Sequence, residues 1–219
     1  MNVKYVEYSF YLTYAFLITT GTITFIESIR TTNSSMRNIL NLETCISIIA
    51  SFFYTKFVEE FKKDTDTIDY KGININRYVD WAITTPLMLL VLILAFKYNL
   101  SGKAVVSFYD YAIILFLNYS MLIIGYLGEI NKIERLTANI LGFGFFGGLY
   151  AFIYKRYIAI KYNLQNTTLY YTFLLLWSLY GVFYLMKNDY RNIGYNTLDL
   201  IAKCFVGLYF WAYFAGIFN

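Results

Sequence analysis

A lysine stands in the middle of an apolar run, Leu198-Asp199-Leu200-Ile201-Ala202-Lys203-Cys204-Phe205-Val206-Gly207-Leu208-Tyr209-Phe210-Trp211. An ammonium at the centre of a membrane-spanning helix costs several kcal/mol on insertion scales, so its default reading is functional, with a partner to be found. Asp199 lies four residues earlier, on the same helix face. A second group occurs upstream, where Arg77, Asp80, Trp81 and Thr84 fall at i, i+3, i+4 and i+7 and share one face. With both acids ionised, Arg77, Asp80, Asp199 and Lys203 carry no net charge. Buried charges are tolerated when paired in this way. The pattern fits either a chemically committed amine with its counterions or an ion network that only joins helices.

The elements that must position these residues are membrane helices. The chain of 219 residues is 58% hydrophobic, with a mean hydropathy of +0.48, which excludes an ordinary water-soluble domain. A spanning helix needs about 20 mainly apolar residues. Seven segments meet that standard: 7–29, 38–58, 77–98, 106–128, 133–157, 167–187 and 192–218. Their connections are short, so residues 1–219 read as one all-α seven-helix bundle. The first segment lacks a basic leader and a small-residue cleavage pattern, and reads as the first helix. Pro86 should kink the third helix. The segment from Asp64 to Asn76 alternates enough to predict a short hairpin.

The charge excess is small, at +4, and is distributed as membrane topology requires. Arg30, Arg37, Lys97, Lys103, Lys155, Arg156 and Lys161 fall on one side, the acids Glu59, Glu60, Asp64, Asp66 and Asp69 on the other. By the positive-inside rule this predicts an outside N-terminus and a cytoplasmic C-terminus. The chain has no histidine, the commonest metal ligand, and its two cysteines, Cys45 and Cys204, fall inside predicted helices. Neither a metal site nor nucleic-acid binding is expected. The 24 tyrosines and 20 phenylalanines supply interfacial belts, packing and the wall of a pocket for a flat conjugated ligand.

Arg77-Tyr78-x-Asp80-Trp81-x-x-Thr84-Thr85-Pro86, together with Asp199-x-x-x-Lys203, resembles the microbial (type 1) rhodopsins. Trp177-x-x-Tyr180-Gly181-x-x-Tyr184 resembles their sixth-helix aromatic set, with Gly181 and Tyr184 where the best-known members carry Pro and Trp. Met121-x-x-x-Gly125 resembles the fourth-helix pair beside the ionone ring. Within the family the chain is most similar to the proteorhodopsin-like rhodopsins of giant viruses. The resemblance implies a multi-pass protein of a host-cell membrane that is not an enzyme. It also implies all-trans retinal held as a Schiff base on Lys203, the side chain here able to form an imine with an aldehyde. Asp80 and Asp199 become the counterions and Arg77 their balance, with Trp81, Thr85 and Met88 in the pocket wall. One opposite charge at about 4 Å is worth roughly 4 kcal/mol at an effective dielectric near 20, so two carboxylates can keep the imine charged. After light, Asp80 is expected to take the proton, with Thr84 hydrogen-bonded to its carboxylate.

The chain departs from the family at Val91, where outward pumps often have a carboxylic acid that returns a proton. Valine cannot relay protons. Glu43 and Asp110 are the alternative candidates, although Glu43 also suits a subunit contact and Asp110 the membrane interface. Arg191 occupies a region where release acids are expected. Glu27, Arg30, Arg37, Asn41 and Glu43 cluster on the first two helices, and a ring of subunits, a pentamer favoured, would place them near its axis. Snorkelling into the headgroups accounts equally for Arg30 and Arg37. A light-driven outward proton pump leads as the functional reading, followed by a light-gated cation channel and a sensory photoreceptor. The apolar stretch of the second helix beyond Glu43 disfavours a pore, whereas Asn192 and Asn196 would suit one.

Overall fold

The computed structural model describes residues 3–63 and 68–217. Among these, seven helices form one bundle: α1 (Val3–Arg30), α2 (Ser34–Glu60), α3 (Tyr70–Ser101), α4 (Phe108–Glu129), α5 (Arg135–Ile158), α6 (Leu164–Tyr184) and α7 (Asn188–Phe214). Five of them, α1, α3, α4, α5 and α7, are long and apolar enough to cross a membrane by composition alone. The molecule is an integral, multi-pass membrane protein. Short connections make neighbouring helices antiparallel, so each end of the bundle collects residues from distant parts of the chain. One end holds the start of α7 and the other the start of α4.

Local chemistry sets the helix limits. Asn33 caps α2 by accepting from the amides of Ser35 (2.9 Å) and Met36 (3.2 Å), and Asn163 caps α6 through Asn166 N (3.0 Å). Gly102, at φ 69°, ends α3 in the left-handed conformation that glycine adopts without steric cost. Asp69 caps α3 by accepting from Gly72 N at 2.8 Å. The hairpin expectation is therefore corrected: Tyr70 to Asn76 are the first turns of α3, while residues 64–67 lie outside the described residues. Burial of Ile73, Asn74, Arg77, Asp80, Trp81 and Thr84 follows a helical face and overrides the alternation that read as a strand.

Two interruptions matter for the site. Pro86 cannot donate to the carbonyl of Ala82, and the Tyr119 hydroxyl from α4 donates to that oxygen instead (3.1 Å). In α7, residues Leu200–Phe205 form a π-helical segment that contains Lys203. Such bulges turn a side chain away from its regular α-helical direction. The interior beyond Lys203 toward the start of α4 is apolar: Leu89, Val91, Leu92, Phe96, Phe173 and Phe210 are all at most 2% exposed.

Candidate functional site

Lys203 is 1% exposed and faces both acids named from sequence. Its Nζ donates to Asp80 Oδ2 at 2.7 Å and lies 3.5 Å from Asp199 Oδ2. The two carboxylates are held very differently. Asp199 accepts from the hydroxyls of Tyr54 (2.9 Å) and Tyr180 (2.6 Å), and Arg77 Nη1 stands 3.7 Å away. Asp80 receives Lys203 on one oxygen, while its Oδ1 has no hydrogen-bond partner among the described residues. Asp199 is thus bonded on both oxygens, whereas Asp80 keeps one oxygen without a partner beside the Lys203 nitrogen.

Thr84 differs from expectation. Its hydroxyl donates to the backbone carbonyl of Asp80 (2.9 Å), not to the carboxylate. A hydroxyl carries one proton, and in a helix the carbonyl four residues back lies within its reach. Thr85 does the same toward Trp81 O (2.7 Å) and accepts from Asn118 Nδ2 at 2.9 Å, which fastens α4 to α3.

Arg77 sits in an aromatic cage, its guanidinium carbon 5.0 Å from the ring centre of Phe57 and 5.1 Å from that of Phe10. It donates to Tyr54 Oη (3.3 Å), to Asn192 Oδ1 (3.3 Å) and to Asn196 Oδ1. Asn192 and Asn196, which suited a pore, are instead bound to Arg77. Tyr54 and Asn118 were not anticipated as site residues. No local spacing links them to residues on other helices.

Beside Lys203 a cavity runs between α3, α4, α5 and α6. Of the retinal-site residues expected from sequence, Trp81, Thr85, Met88, Met121, Gly125, Trp177, Tyr180, Gly181, Tyr184, Asp199 and Lys203 line it, whereas Arg77, Asp80 and Thr84 do not. The departures at Gly181 and Tyr184 are accommodated structurally. A Cβ on Gly181 would run into the Phe143 ring. The carbonyl of Gly181 accepts from Asn139 Nδ2 (2.8 Å), and the Tyr184 hydroxyl donates to Gly125 O (3.0 Å). An apolar, aromatic slot ending on one buried amine fits a long conjugated aldehyde attached to that amine.

The remaining candidates separate. Asp110 is clamped by Arg156 through Nε (3.1 Å) and Nη2 (2.9 and 3.0 Å), close to the Tyr157 hydroxyl. Glu43 is 3% exposed, and its Oε2 lies 3.2 Å from where a Cβ on Gly207 would stand. Glu43 therefore points into the protomer against α7, not toward a subunit axis with Arg30, Arg37 and Asn41, which are exposed. A buried carboxylate at that depth needs the shelter of the bundle. At the opposite end, Arg191 pairs with Glu129 (2.9 and 3.3 Å), a buried ion pair that sequence reading missed.

The chain matches the family model for bacteriorhodopsin-like proteins over residues 5–217. Among solved structures, the viral rhodopsin OLPVRII is 57% identical, with 98% of this chain and 99% of that one covered and a TM-score of 0.92. Xanthorhodopsin, described as a light-driven ion pump with dual chromophore, is 19% identical, with 95% and 91% covered and a TM-score of 0.75. The proton-pumping rhodopsin AR2 of the marine alga Acetabularia acetabulum is 18% identical, with 97% and 96% covered and a TM-score of 0.75. A search among curated protein sequences finds no match. The fold and site define a retinal protein of the membrane, not an enzyme. The chain belongs to the bacteriorhodopsin-like family, the microbial rhodopsins.

Proposed function

We propose that this protein is a light-driven outward proton pump, using all-trans retinal on Lys203, with its N-terminus outside. The observation that carries this reading is the asymmetry of the counterions: Asp199 is saturated with donors, whereas Asp80 has a free oxygen beside Lys203 Nζ. Attached to that nitrogen, retinal supplies a light-driven isomerisation that re-aims the N–H bond. Asp80 Oδ2, 2.7 Å from Nζ, then takes the proton. Asp199, held by Tyr54, Tyr180 and Arg77, serves as the fixed second counterion. Arg77, Asn192 and Asn196 offer a hydrogen-bonded route from this centre toward the Arg191 end.

Return of the proton falls to Glu43. Val91 is fully buried and apolar, and Asp110 is occupied by Arg156. Glu43 instead lies against Gly207, one turn along α7 from Lys203. The Ser47 hydroxyl nearby is buried and has no hydrogen-bond partner among the described residues, and the buried Thr20 hydroxyl lies beside Cys204, so water can bridge this polar group. The apolar packing around Val91 makes this step slow and disfavours a continuous ion pore. Subunits assemble through α1 and α2, a pentamer favoured, with Glu27, Arg30, Arg37 and Asn41 near the axis.

Voltage-clamp recording in cells supplied with retinal tests the reading. Photocurrent that stays outward at all potentials supports a pump. A reversal potential that follows the cation gradient establishes a channel, and absence of current a sensor.

A further inference from the structure

A second cavity, of about 190 Å³, opens at the Arg191 end of the bundle among α3, α4, α5 and α7. Three cationic side chains, Lys71, Arg135 and Arg191, line it with one carboxylate, Glu129. Glu129 is already engaged: Arg191 Nη1 binds its Oε2 at 2.9 Å, and Arg135 Nη2 stands 3.7 Å from the same oxygen. The cavity wall therefore carries an excess of positive charge. Two of its groups are buried and unmatched. Asn74 is 2% exposed, and neither its Nδ2 nor its Oδ1 has a partner among the described residues; Arg191 is 1% exposed, and its Nε has none. Buried donors without acceptors are costly, and native structures supply them with water or a ligand.

From this we infer that the cavity binds a small oxyanion of the phosphate or sulfate type. The lining supplies several donors: the guanidinium groups of Arg135 and Arg191, the Lys71 ammonium and the side-chain amides of Asn74 and Asn131. A tetrahedral oxyanion presents several acceptors that a set of cationic and amide donors can share. The cavity has room for such an ion with some of its water. The oxyanion is free in the medium or the headgroup of an anionic lipid, because the cavity lies at the helix ends.

The site is linked to the chromophore centre. Asn188 accepts from Arg191 Nη2 on its side chain (2.6 Å) and from Asn192 Nδ2 on its carbonyl (3.0 Å). Asn192 in turn accepts from Arg77. A negative charge bound in the cavity acts on Arg77 through this chain and so on the balance between Arg77 and the counterions. The binding claim is independent of the pump reading.

The test is calorimetric titration of the retinal-loaded protein in phosphatidylcholine nanodiscs with sulfate and then phosphate, ionic strength held constant with gluconate. Saturable binding in the millimolar range or tighter is expected, weakened about tenfold or more in Lys71→Gln and in Arg135→Gln. Lys71 is an exposed residue, so its variant should retain the fold and the colour. The visible absorption maximum is expected to shift with the same midpoint as the heat. In phosphatidylglycerol nanodiscs, loss of the sulfate response identifies the headgroup as the natural oxyanion, and an unchanged response identifies the free ion. No saturation up to about 100 mM, or equal binding in both variants, overturns the site. Saturable binding without a spectral shift overturns the link to Arg77.

Discussion

The interior of the bundle has two unlike halves, divided at Lys203. Toward the Arg191 end lies a continuous polar network: Tyr54, Arg77, Asn192, Asn196 and Asp199 are joined by hydrogen bonds and buried. Toward the Asp110 end lie Leu89, Val91, Leu92 and Phe96, with no exposure beyond 2%. Buried amides and charges hold one another in place when all are bonded. Buried aliphatic packing excludes water. The difference teaches where the two halves can conduct: under the proposed pump reading, a proton leaves readily through the polar half and returns sparingly through the apolar one. Two buried acids interrupt the dry half: Asp110, paired with Arg156, and Glu43, which lies against Gly207.

Substitutions rank by how directly they disturb this division. Lys203→Ala removes the amine and should abolish covalent retinal binding, leaving purified protein colourless in the visible spectrum. Asp80→Asn keeps the shape but removes the acceptor, and outward photocurrent should fall by about a hundredfold or more, as loss of a positioned proton acceptor does elsewhere. Asp199→Asn should instead weaken retinal binding and shift the spectrum more than it lowers proton transfer, because both Asp199 oxygens are already held by Tyr54 and Tyr180. Equal loss of current in both variants would remove the asymmetry. Tyr180→Phe deletes the 2.6 Å bond to Asp199 and should lower stability by about 2 kcal/mol, read as earlier thermal loss of colour. Tyr119→Phe frees the carbonyl of Ala82, the one Pro86 cannot donate to, and should cost about 1 kcal/mol, with current almost unchanged.

Much of the polar half was legible in the sequence, because its key residues sit at helical spacings: Arg77, Asp80, Trp81 and Thr84 on one face, Asp199 and Lys203 on another. Spacing cannot show which residues meet across helices. Tyr54, Asn118 and the Glu129–Arg191 pair come together from elements far apart in the chain, and an acid at a helix end such as Glu129 ordinarily faces solvent. The start of α3 resembles a strand only locally. Its Ile-rich alternation mimics a strand over a few residues, while the cap at Asp69 and the buried stripe from Ile73 to Thr84 decide for helix. Asp110 and Glu43 looked alike as acids near helix starts. Only the position of Arg156, on the turn of α5 facing Asp110, tells them apart.

The central claim is that Glu43, and no other acid of the dry half, returns the proton to the Lys203 nitrogen. Flash photolysis of Glu43→Gln and Asp110→Asn, following recovery of the dark absorption spectrum, tests it most directly. The account predicts that Glu43→Gln slows recovery about tenfold or more and leaves the rise of protonated Asp80 unchanged, whereas Asp110→Asn recovers at nearly the unsubstituted rate. Unslowed recovery in Glu43→Gln, or slowing confined to Asp110→Asn, would contradict it.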